Sequence, residues 1–441
     1  MFCYVAPWNK DVVANKILVS DSKQYHDVAC NVVKYGTFAP PKDTNNVNKL
    51  TTYQMTGLAF RYGDTLRTPG YILFLAAIYK LFGINTWAAI LFQIVVSLIS
   101  IFITYRIGLL FGQKQIGTLA ALLYAFDIHS IYLTDLILTE TLFVALFLSA
   151  VYYFLKGIIK KGFIEMLLSS LFLGLTCLTR TVVLLYPVVL FALIIMLTKA
   201  EWKWKIKSIV GYSAIFAVLV GTWSYRNHRE YNSWQLTTQG GDAIAMYNAS
   251  TLKAKLTHEN IDSARVDFQK QADSLGFRTK QNIFDKMAIY TTIGTQYIAR
   301  HKIAYLIAHL EGGLNMFLSI GNVGMAEFFG WIKIKQAENF AEIKVDRIKQ
   351  NFSNLKASLL GFFVVLILAL QYIGTFICIA RYKKMQCHLF LMLAISTILY
   401  FTFITGIYGM YRYRLPLTPL ICLMAAYGYS YLINKSEAKN D

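Results

Sequence analysis

Residues 87–110 read WAAILFQIVVSLISIFITYRIGLL, an almost uninterrupted apolar run. A helix needs about 17–25 such residues to cross a bilayer, so this stretch is predicted to span a membrane. Comparable runs recur along the chain at roughly 115–132, 136–155, 163–180, 183–198, 206–225, 355–380, 387–405 and 414–433. The run at 70–82 is shorter and is predicted to lie along the membrane interface. The predicted fold class is an all-α polytopic membrane protein with about nine to eleven membrane helices.

The composition supports this class. The chain has 441 residues, of which 56% are hydrophobic and 15% are charged, whereas soluble domains carry about 25% charged residues. A soluble enzyme, a disordered protein and a disulfide scaffold are therefore excluded. The six cysteines are scattered and form no CxxC pair, so neither a metal site nor a disulfide framework is predicted. Basic cytoplasmic loops account for the net charge of +19, and nucleic acid is not predicted as a partner.

Alternate connections between the predicted spans are rich in lysine, which orients the bundle. They carry Lys114, Lys156, Lys160, Lys161, Lys199, Lys203, Lys205, Lys207, Arg381, Lys383, Lys384, Lys435 and Lys439. The positive-inside rule makes this side cytoplasmic. Three regions follow: an N-terminal membrane module at 1–225 with a catalytic first outer loop, an extracytoplasmic or interfacial segment at 226–354, and C-terminal membrane helices at 355–441.

The opposite side carries arginine at its short connections and helix ends. These residues are Arg67, Arg180, Arg226, Arg229, Arg412 and Arg414. Arginine presents a planar fork that binds phosphate through two hydrogen bonds. An ionisable residue at a membrane-embedded helix end indicates function by default. Snorkelling to lipid headgroups is the alternative for any single arginine, but it explains a gathering of several less well.

The N-terminus raises a question of topology. Only the first eight residues are apolar, and eight residues cannot span. If the region around Asp21 lies outside, we expect a further membrane helix upstream of the sequence given. Otherwise, the 70–85 stretch crosses the membrane and residues 1–69 are cytoplasmic.

Motifs with chemical potential stand at the predicted outer helix ends. Asp21, Tyr25 and Ala29 share one helix face at i, i+4 and i+8, although an Asp there is also a common helix cap. The other motifs are Arg67-Thr68-Pro69, Leu138-Thr139-Glu140, Leu178-Thr179-Arg180 and Arg412-Tyr413-Arg414-Leu415-Pro416. Asp127 and His129 also lie near an outer end, where a hydrogen-bonded structural pair is predicted.

In order and sidedness, these motifs resemble the integral-membrane C-type glycosyltransferases that use polyprenyl-phosphate sugars. The group most similar contains the protein O-mannosyltransferases and the lipid A aminoarabinose transferases. The resemblance implies the C-type fold and makes Asp21 the catalytic base. It implies that Arg67, Arg180, Arg412 and Arg414 bind the donor phosphate. It also implies that Tyr25 and Glu140 position donor or acceptor.

Two features depart from the family pattern. The family's first membrane helix is absent from the sequence, and Ser22 stands where a second acidic residue often follows the loop Asp. Asp27 and Asp64 are the substitutes that the sequence offers.

The predicted reaction is transfer of a sugar from a polyprenyl phosphate to a glycan, lipid or protein acceptor, with inversion, at the outer membrane face. A carboxylate takes the acceptor's proton, and arginines hold the departing phosphate. No cofactor is predicted, and a divalent cation is left open. The composition points to a bacterial inner membrane, with membrane lipids as further partners. A flippase or transporter of lipid-linked saccharides and a polysaccharide polymerase are the alternatives.

Overall fold

The structure is a computed structural model that describes residues 20–38, 63–111, 114–332, 354–384 and 388–440. All regular elements in these ranges are helical, which confirms the predicted all-α class. The helices up to residue 231 are α1 (Ser20–Tyr35), α2 (Gly63–Leu66), α3 (Pro69–Phe82), α4 (Thr86–Leu109), α5 (Lys114–Ala125), α6 (Ile128–Thr134), α7 (Glu140–Lys160), α8 (Phe163–Thr179), α9 (Tyr186–Leu197) and α10 (Trp202–Tyr231).

The segment that follows is built from shorter helices. They are α11 (Gln239–Asp242), a π-helix (Ala243–Ala249), α12 (Ser250–Thr257), α13 (Ile261–Ser274), α14 (Ile283–Arg300), α15 (Lys302–Leu318) and α16 (Asn322–Phe328). The C-terminal helices are α17 (Leu355–Ala380), α18 (His388–Thr405), α19 (Tyr411–Arg414) and α20 (Thr418–Asn440). Since α10 runs to Tyr231, the predicted division at 225 falls inside a helix, while the one at 354 immediately precedes α17.

The apolar helices of the described residues fall into three groups by length and composition. Five are long enough to cross a membrane: α4, α7, α10, α17 and α18. Two bent pairs pass the same test together, α5 with α6 at 59° and α15 with α16 at 57°, so the number of spans rises to seven if each pair is one span. Four shorter apolar helices comprise Pro69–Phe82, Phe163–Thr179, Thr181–Leu197 and Thr418–Ile433.

The two runs predicted at 115–132 and 136–155 are interrupted in a way that the apolar pattern did not predict. Asp127 caps a new helix, because its side chain accepts hydrogen bonds from the backbone and the hydroxyl of Ser130 at 2.8 and 2.7 Å. This helix, α6, ends at Thr134, and the non-helical residues 135–139 separate it from α7. The second span therefore starts at Glu140, later than expected.

Helix α4 shows how the bundle sorts its side chains. Its large apolar residues Leu98 and Phe102 are more than half exposed, as expected for a face that meets lipid. Gln93, Ser100 and Thr104 are buried on the other face. The separation follows the helical period, so α4 turns its few polar groups into the protein.

The segment after residue 231 has a small core of its own, centred on Phe268, Phe277 and Phe284. It is joined to the N-terminal region by a backbone hydrogen bond from Thr238 N to Thr65 O at 2.9 Å. Because Thr65 lies two residues before Arg67, this bond holds the segment against one of the predicted site residues.

Candidate active site

Helix α1 carries the first part of the site. Asp21, Gln24 and Tyr25 stand at i, i+3 and i+4, so their side chains lie on one face. Tyr25 is buried, and its ring meets the ring of Tyr71 edge-on with centroids 5.2 Å apart. The aromatic contact fixes α1 on α3 and leaves the Asp21 carboxylate partly accessible, with 29% of the side chain exposed.

Arg67 joins this face from the turn before α3. Its Nη2 donates to Asp21 Oδ1 at 2.9 Å, and its Nη2 and Nε donate to Gln24 Oε1 at 3.1 and 3.2 Å. The guanidinium also lies 5.1 Å from the centre of the Tyr25 ring. Burial would lower the pKa of Arg67, but Tyr25 and Asp21 outweigh it and the pKa is raised. Arg67 therefore stays charged in the site.

A glycine lets the start of α3 approach the end of α8. A Cβ on Gly70 would lie 2.7 Å from the carbonyl oxygen of Leu178 and 2.8 Å from Thr179 Oγ1. Only glycine fits such a close approach without displacing backbone. Because Arg67 precedes α3 and Arg180 follows α8, this contact brings the two arginines to the same end of the bundle.

Glu140 is the buried centre of the second part of the site. It is the first residue of α7 and is 1% exposed. Its Oε1 accepts from Arg180 Nη1 at 2.8 Å and from Arg412 Nε at 2.8 Å, and Arg412 Nη2 lies 2.7 Å away. Its Oε2 accepts from the Thr139 hydroxyl at 3.2 Å. The position suits a carboxylate because a helix N-terminus favours negative charge.

Arg412 connects the two parts. Besides its contact with Glu140, its Nη1 and Nη2 each lie 3.4 Å from Asp21 Oδ2. Glu140 is the main cause that raises the pKa of Arg412, and it outweighs the effect of burial. The five side chains of Asp21, Arg67, Glu140, Arg180 and Arg412 thus form one continuous chain of ion pairs, named here the arginine cluster.

The charge of the arginine cluster favours an anion. Three guanidinium groups face two carboxylates, so one positive charge is left over within the cluster. Arg67, Arg180 and Arg412 are each partly buried, with 13%, 22% and 25% of the side chain exposed. Partial burial strengthens electrostatic attraction relative to water, and arginine forks match phosphate oxygens. The cluster has the chemistry of a phosphate site beside a carboxylate.

Arg414 lies elsewhere, although the sequence groups it with the other arginines. It is 1% exposed, and its Nη1 donates to the carbonyl oxygens of Met316, at 3.3 Å, and Phe317. Its Nη2 lies 3.4 Å from His129 Nδ1. These carbonyls belong to the last turn of α15, where a helix leaves carbonyl oxygens without a helical partner. The structure therefore brings Arg414 to a helix end and not to the arginine cluster.

Asp127 and His129 have separate partners near that helix end. Asp127 caps α6, and Gln371 Nε2 lies 3.4 Å from its second oxygen. His129 Nε2 bonds to the carbonyl oxygen of Ile320, in the break between α15 and α16. The predicted hydrogen bond between Asp127 and His129 is therefore not formed, because each side chain is bonded to other groups.

Sequence reasoning missed several residues around the site. Gln24 accepts two hydrogen bonds from Arg67, and its position three residues after Asp21 was the available signal. Asp242 and Tyr247 come from the segment after α10. Burial raises the pKa of Asp242, and the charges of Arg265 and Arg67 partly offset this rise. Neither residue stands out in the sequence.

Metal ligands are not grouped in the described ranges, where no set of three or more His, Cys, Asp or Glu side chains is placed to hold an ion. The expectation that no cofactor is needed stays a prediction.

Part of the sequence is similar to a known protein family. Residues 67–225 match the model of a family described as dolichyl-phosphate-mannose-protein mannosyltransferase. Over this range the chain is similar to that family. The resemblance to the protein O-mannosyltransferases that the motifs predict is confirmed there. Arg67, Glu140 and Arg180 lie inside the matched range, whereas Asp21 and Arg412 lie outside it. No curated protein matches the chain.

Solved structures give distant likenesses. One is the archaeal oligosaccharyltransferase AglB from Archaeoglobus fulgidus in complex with an inhibitory peptide and a dolichol-phosphate. The sequences are 13% identical, the match covers 85% of this chain and 43% of that chain, and the TM-score is 0.45. Another is ArnT from Cupriavidus metallidurans bound to undecaprenyl phosphate. The sequences are 10% identical, the match covers 95% of this chain and 78% of that chain, and the TM-score is 0.39. The chain thus spans less than half the length of the archaeal enzyme.

Proposed function

We propose that the protein is an integral-membrane glycosyltransferase. It moves a sugar from a polyprenyl-phosphate donor to an acceptor, with inversion at the anomeric carbon. The observation that carries the proposal is the arginine cluster, which sets the partly exposed carboxylate of Asp21 against Arg67 and Arg412 and has a surplus positive charge. The family match over residues 67–225 supports the donor class.

The donor phosphate is proposed to bind to Arg67, Arg180 and Arg412. In sugar transfer from a polyprenyl phosphate, the bond from the anomeric carbon to the phosphate oxygen breaks and negative charge grows on the phosphate. Guanidinium groups already held in place by Glu140 and Asp21 stabilise that charge with little reorganisation. Arg414 is assigned a structural role in this proposal, because its guanidinium already contacts backbone carbonyls.

Asp21 is proposed as the general base. It takes the proton of the acceptor nucleophile as that atom attacks the anomeric carbon. In the structure, Oδ1 is paired with Arg67 and Oδ2 with Arg412. A donor phosphate competes for the same guanidinium groups and so frees Asp21 to accept a proton. Binding of the donor phosphate, which is the leaving group, therefore makes the Asp21 carboxylate available as a base.

The active face is proposed to be extracytoplasmic. Glu140 and Lys160 stand at the two ends of α7, about 30 Å apart at 1.5 Å per residue. The arginine cluster surrounds the Glu140 end. Near the other end, Lys156 pairs with Glu165 at 3.4 Å, and Trp204 Nε1 donates to the Lys161 carbonyl oxygen at 2.7 Å. A lysine-rich end is the cytoplasmic one by the positive-inside rule, and a bacterial inner membrane is proposed as the location.

The acceptor, a glycan, lipid or protein, is proposed to enter between the π-helix and the turn before α19. The rings of Tyr247 and Tyr408 meet edge-on with centroids 5.5 Å apart, and Tyr247 is 43% exposed. Asn248 Oδ1 accepts from Ile407 N at 3.4 Å, which joins the two segments. Aromatic and polar groups of this kind are typical of small-molecule sites.

The test is a reconstituted transfer assay. Purified protein in lipid nanodiscs is incubated with polyprenyl-phosphate sugars and with envelope glycans, lipids and peptides as acceptors, and mass spectrometry follows free polyprenyl phosphate and the glycosylated acceptor. The two products are expected to form together and to disappear with Asp21→Asn.

In parallel, envelope glycans and lipids are compared between cells with and without the protein to identify the sugar that is missing. Movement of an intact lipid-linked saccharide across the bilayer without bond cleavage would instead indicate a flippase. Chain extension of a polysaccharide would indicate a polymerase.

A further inference from the structure

Gln93 is a buried amide on the inward face of the apolar helix α4. It lies about 10 Å from the start of α4 at 1.5 Å per residue, and it is 0% exposed. A polar side chain at that depth is costly unless its hydrogen bonds are satisfied. Both ends of the amide are satisfied, and the partners lie on the two segments next to the two parts of the arginine cluster: Tyr71 on the helix after Arg67, and Thr134 and Leu136 before Glu140.

On one side, the Gln93 amide bonds to the non-helical connection between α6 and α7, just before Glu140. Gln93 Nε2 donates to the carbonyl oxygens of Thr134 and Leu136, each at 2.8 Å. These carbonyls belong to the stretch where α6 ends and the non-helical connection to α7 begins, so the backbone there lacks helical partners. Non-helical backbone within an apolar environment needs such replacement partners. The amide therefore fixes the stretch that presents Glu140, and through it Arg180 and Arg412.

On the other side, the amide holds the helix that follows Arg67. Gln93 Oε1 accepts a hydrogen bond from the hydroxyl of Tyr71, which is fully buried. The Tyr71 ring packs edge-on against Tyr25, and Tyr25 lies beneath the guanidinium of Arg67. The same side chain is thus connected to the Asp21 and Arg67 part of the site.

We propose that Gln93 is a positioning residue that keeps the Asp21–Arg67 part of the arginine cluster in register with the Glu140–Arg180 part. This rests on the proposed function. Arg412 joins the same two parts at the ligand face, but its contacts with Asp21, at 3.4 Å, are long and are expected to exchange for the donor phosphate. The Gln93 amide lies behind the site and holds both parts while Arg412 turns to the phosphate.

The proposal predicts a separation of turnover from donor binding. Without Gln93, Arg180 and Arg412 stay paired with Glu140 and still bind phosphate, but these three residues shift together relative to Asp21 and Arg67. The distance from the base to the anomeric carbon depends on register, and a misplacement of about 1 Å costs on the order of 10²-fold in rate. Loss of the amide should therefore lower kcat far more than it weakens donor binding.

The experiment uses Gln93→Met, which keeps the approximate volume and removes both the donor and the acceptor of the amide. Tyr71→Phe is a milder variant that removes only the hydroxyl, and it keeps the test usable where Gln93→Met does not fold. Ser100→Ala is the matched control, because Ser100 is buried on the same helix but its hydroxyl bonds to Val96 O at 3.0 Å and to Tyr124 of α5, which are not partners of Gln93. All three are compared with the unmodified protein in nanodiscs.

Two readouts decide the outcome. Hydrogen–deuterium exchange of residues 134–141 is expected to rise in Gln93→Met, to a smaller extent in Tyr71→Phe, and not in Ser100→Ala. The value of kcat is expected to fall in the same order, while the Kd for undecaprenyl phosphate stays close to that of the unmodified protein. Unchanged exchange at 134–141, or raised exchange with normal kcat, would overturn the proposal. If the unmodified protein has no transferase activity, the proposed function alone is refuted, because hydrogen–deuterium exchange still tests whether Gln93 stabilises residues 134–141.

Discussion

Arg412 and Glu140 are 272 positions apart in the chain, yet Arg412 Nε donates to Glu140 Oε1 at 2.8 Å. This ion pair closes the site, because it joins the short helix α19 to the start of α7. The same carboxylate oxygen also accepts from Arg180. Removing one partner of a buried ion pair typically costs about 3–5 kcal/mol, because the other charge is left without its partner.

Arg412→Lys is expected to weaken donor binding. Lysine keeps the charge but lacks the planar fork that reaches Glu140 and Asp21 together. Loss of one hydrogen bond to a charged group costs about 1.5–3 kcal/mol, which corresponds to roughly 10- to 100-fold in Kd. The Kd for undecaprenyl phosphate, measured by titration in nanodiscs, checks this. Arg229→Lys, at an exposed arginine of α10, is the control and should bind normally. An unchanged Kd in Arg412→Lys would remove Arg412 from the phosphate site.

Asp21→Asn is expected to reduce turnover by about 10²–10⁴-fold, the usual contribution of a general base. The amide oxygen still accepts from Arg67, so the cluster keeps its arrangement and undecaprenyl phosphate should still bind. Release of free polyprenyl phosphate measures turnover. Asp27→Asn, on the same helix, is the matched control and should stay active. If Asp21→Asn turns over at a near-normal rate, the base is another group.

The order of substrate binding follows from the pairing of Asp21. Because Arg67 and Arg412 occupy both carboxylate oxygens, the acceptor is expected to bind productively only after the donor. Steady-state kinetics at varied donor and acceptor concentrations should show ordered addition, with the donor first. Tight binding of acceptor to protein free of donor, seen by titration, would contradict the release of Asp21 by the phosphate.

Arg414→Met separates a structural role from phosphate binding. The Met316 carbonyl oxygen at the end of α15 loses its buried donor, and that of Phe317 keeps only the Tyr372 hydroxyl; an unsatisfied buried group typically costs about 1–3 kcal/mol. The thermal unfolding temperature is expected to fall, while the folded protein binds undecaprenyl phosphate normally. Tyr372→Phe should act in the same direction, because the Tyr372 hydroxyl donates to Phe317 O at 2.6 Å. A stable Arg414→Met protein that fails to bind the phosphate would restore the role predicted from the sequence.

The contrast between Arg412 and Arg414 shows which contacts of the site can be predicted from the sequence. Side chains at ends of spans on one side of a membrane must gather, and this reasoning correctly predicts that Asp21, Glu140 and Arg412 lie together. It cannot separate two arginines on one short helix, because residues at i and i+2 point in different directions. The partner that each one meets depends on tertiary packing.

The breaks in the helices were harder to predict. The apolar pattern of residues 115–155 continues through the break, so hydropathy alone gives two ordinary spans. Asp127 as a cap and Gln93 as a lone amide in an apolar run were the available signals. Their meaning depends on backbone groups that are distant in sequence, such as the carbonyl of Leu136. Sequence can locate such polar residues but cannot assign their partners.

The sidedness of the site can be measured by cysteine labelling in intact cells or right-side-out vesicles. Single cysteines at Lys34 and Ser274, both exposed and on the side proposed to face outward, are expected to react with a membrane-impermeant maleimide. A cysteine at Lys383, exposed in the lysine-rich connection after α17, is expected to react only after the membrane is permeabilised. Labelling of the unmodified chain gives the background from its native cysteines. If Ser274→Cys reacts and Lys34→Cys is shielded until permeabilisation, α1 and the segment after α10 lie on opposite sides of the membrane. Asp21 could not then meet Arg412, and the site as described would be refuted.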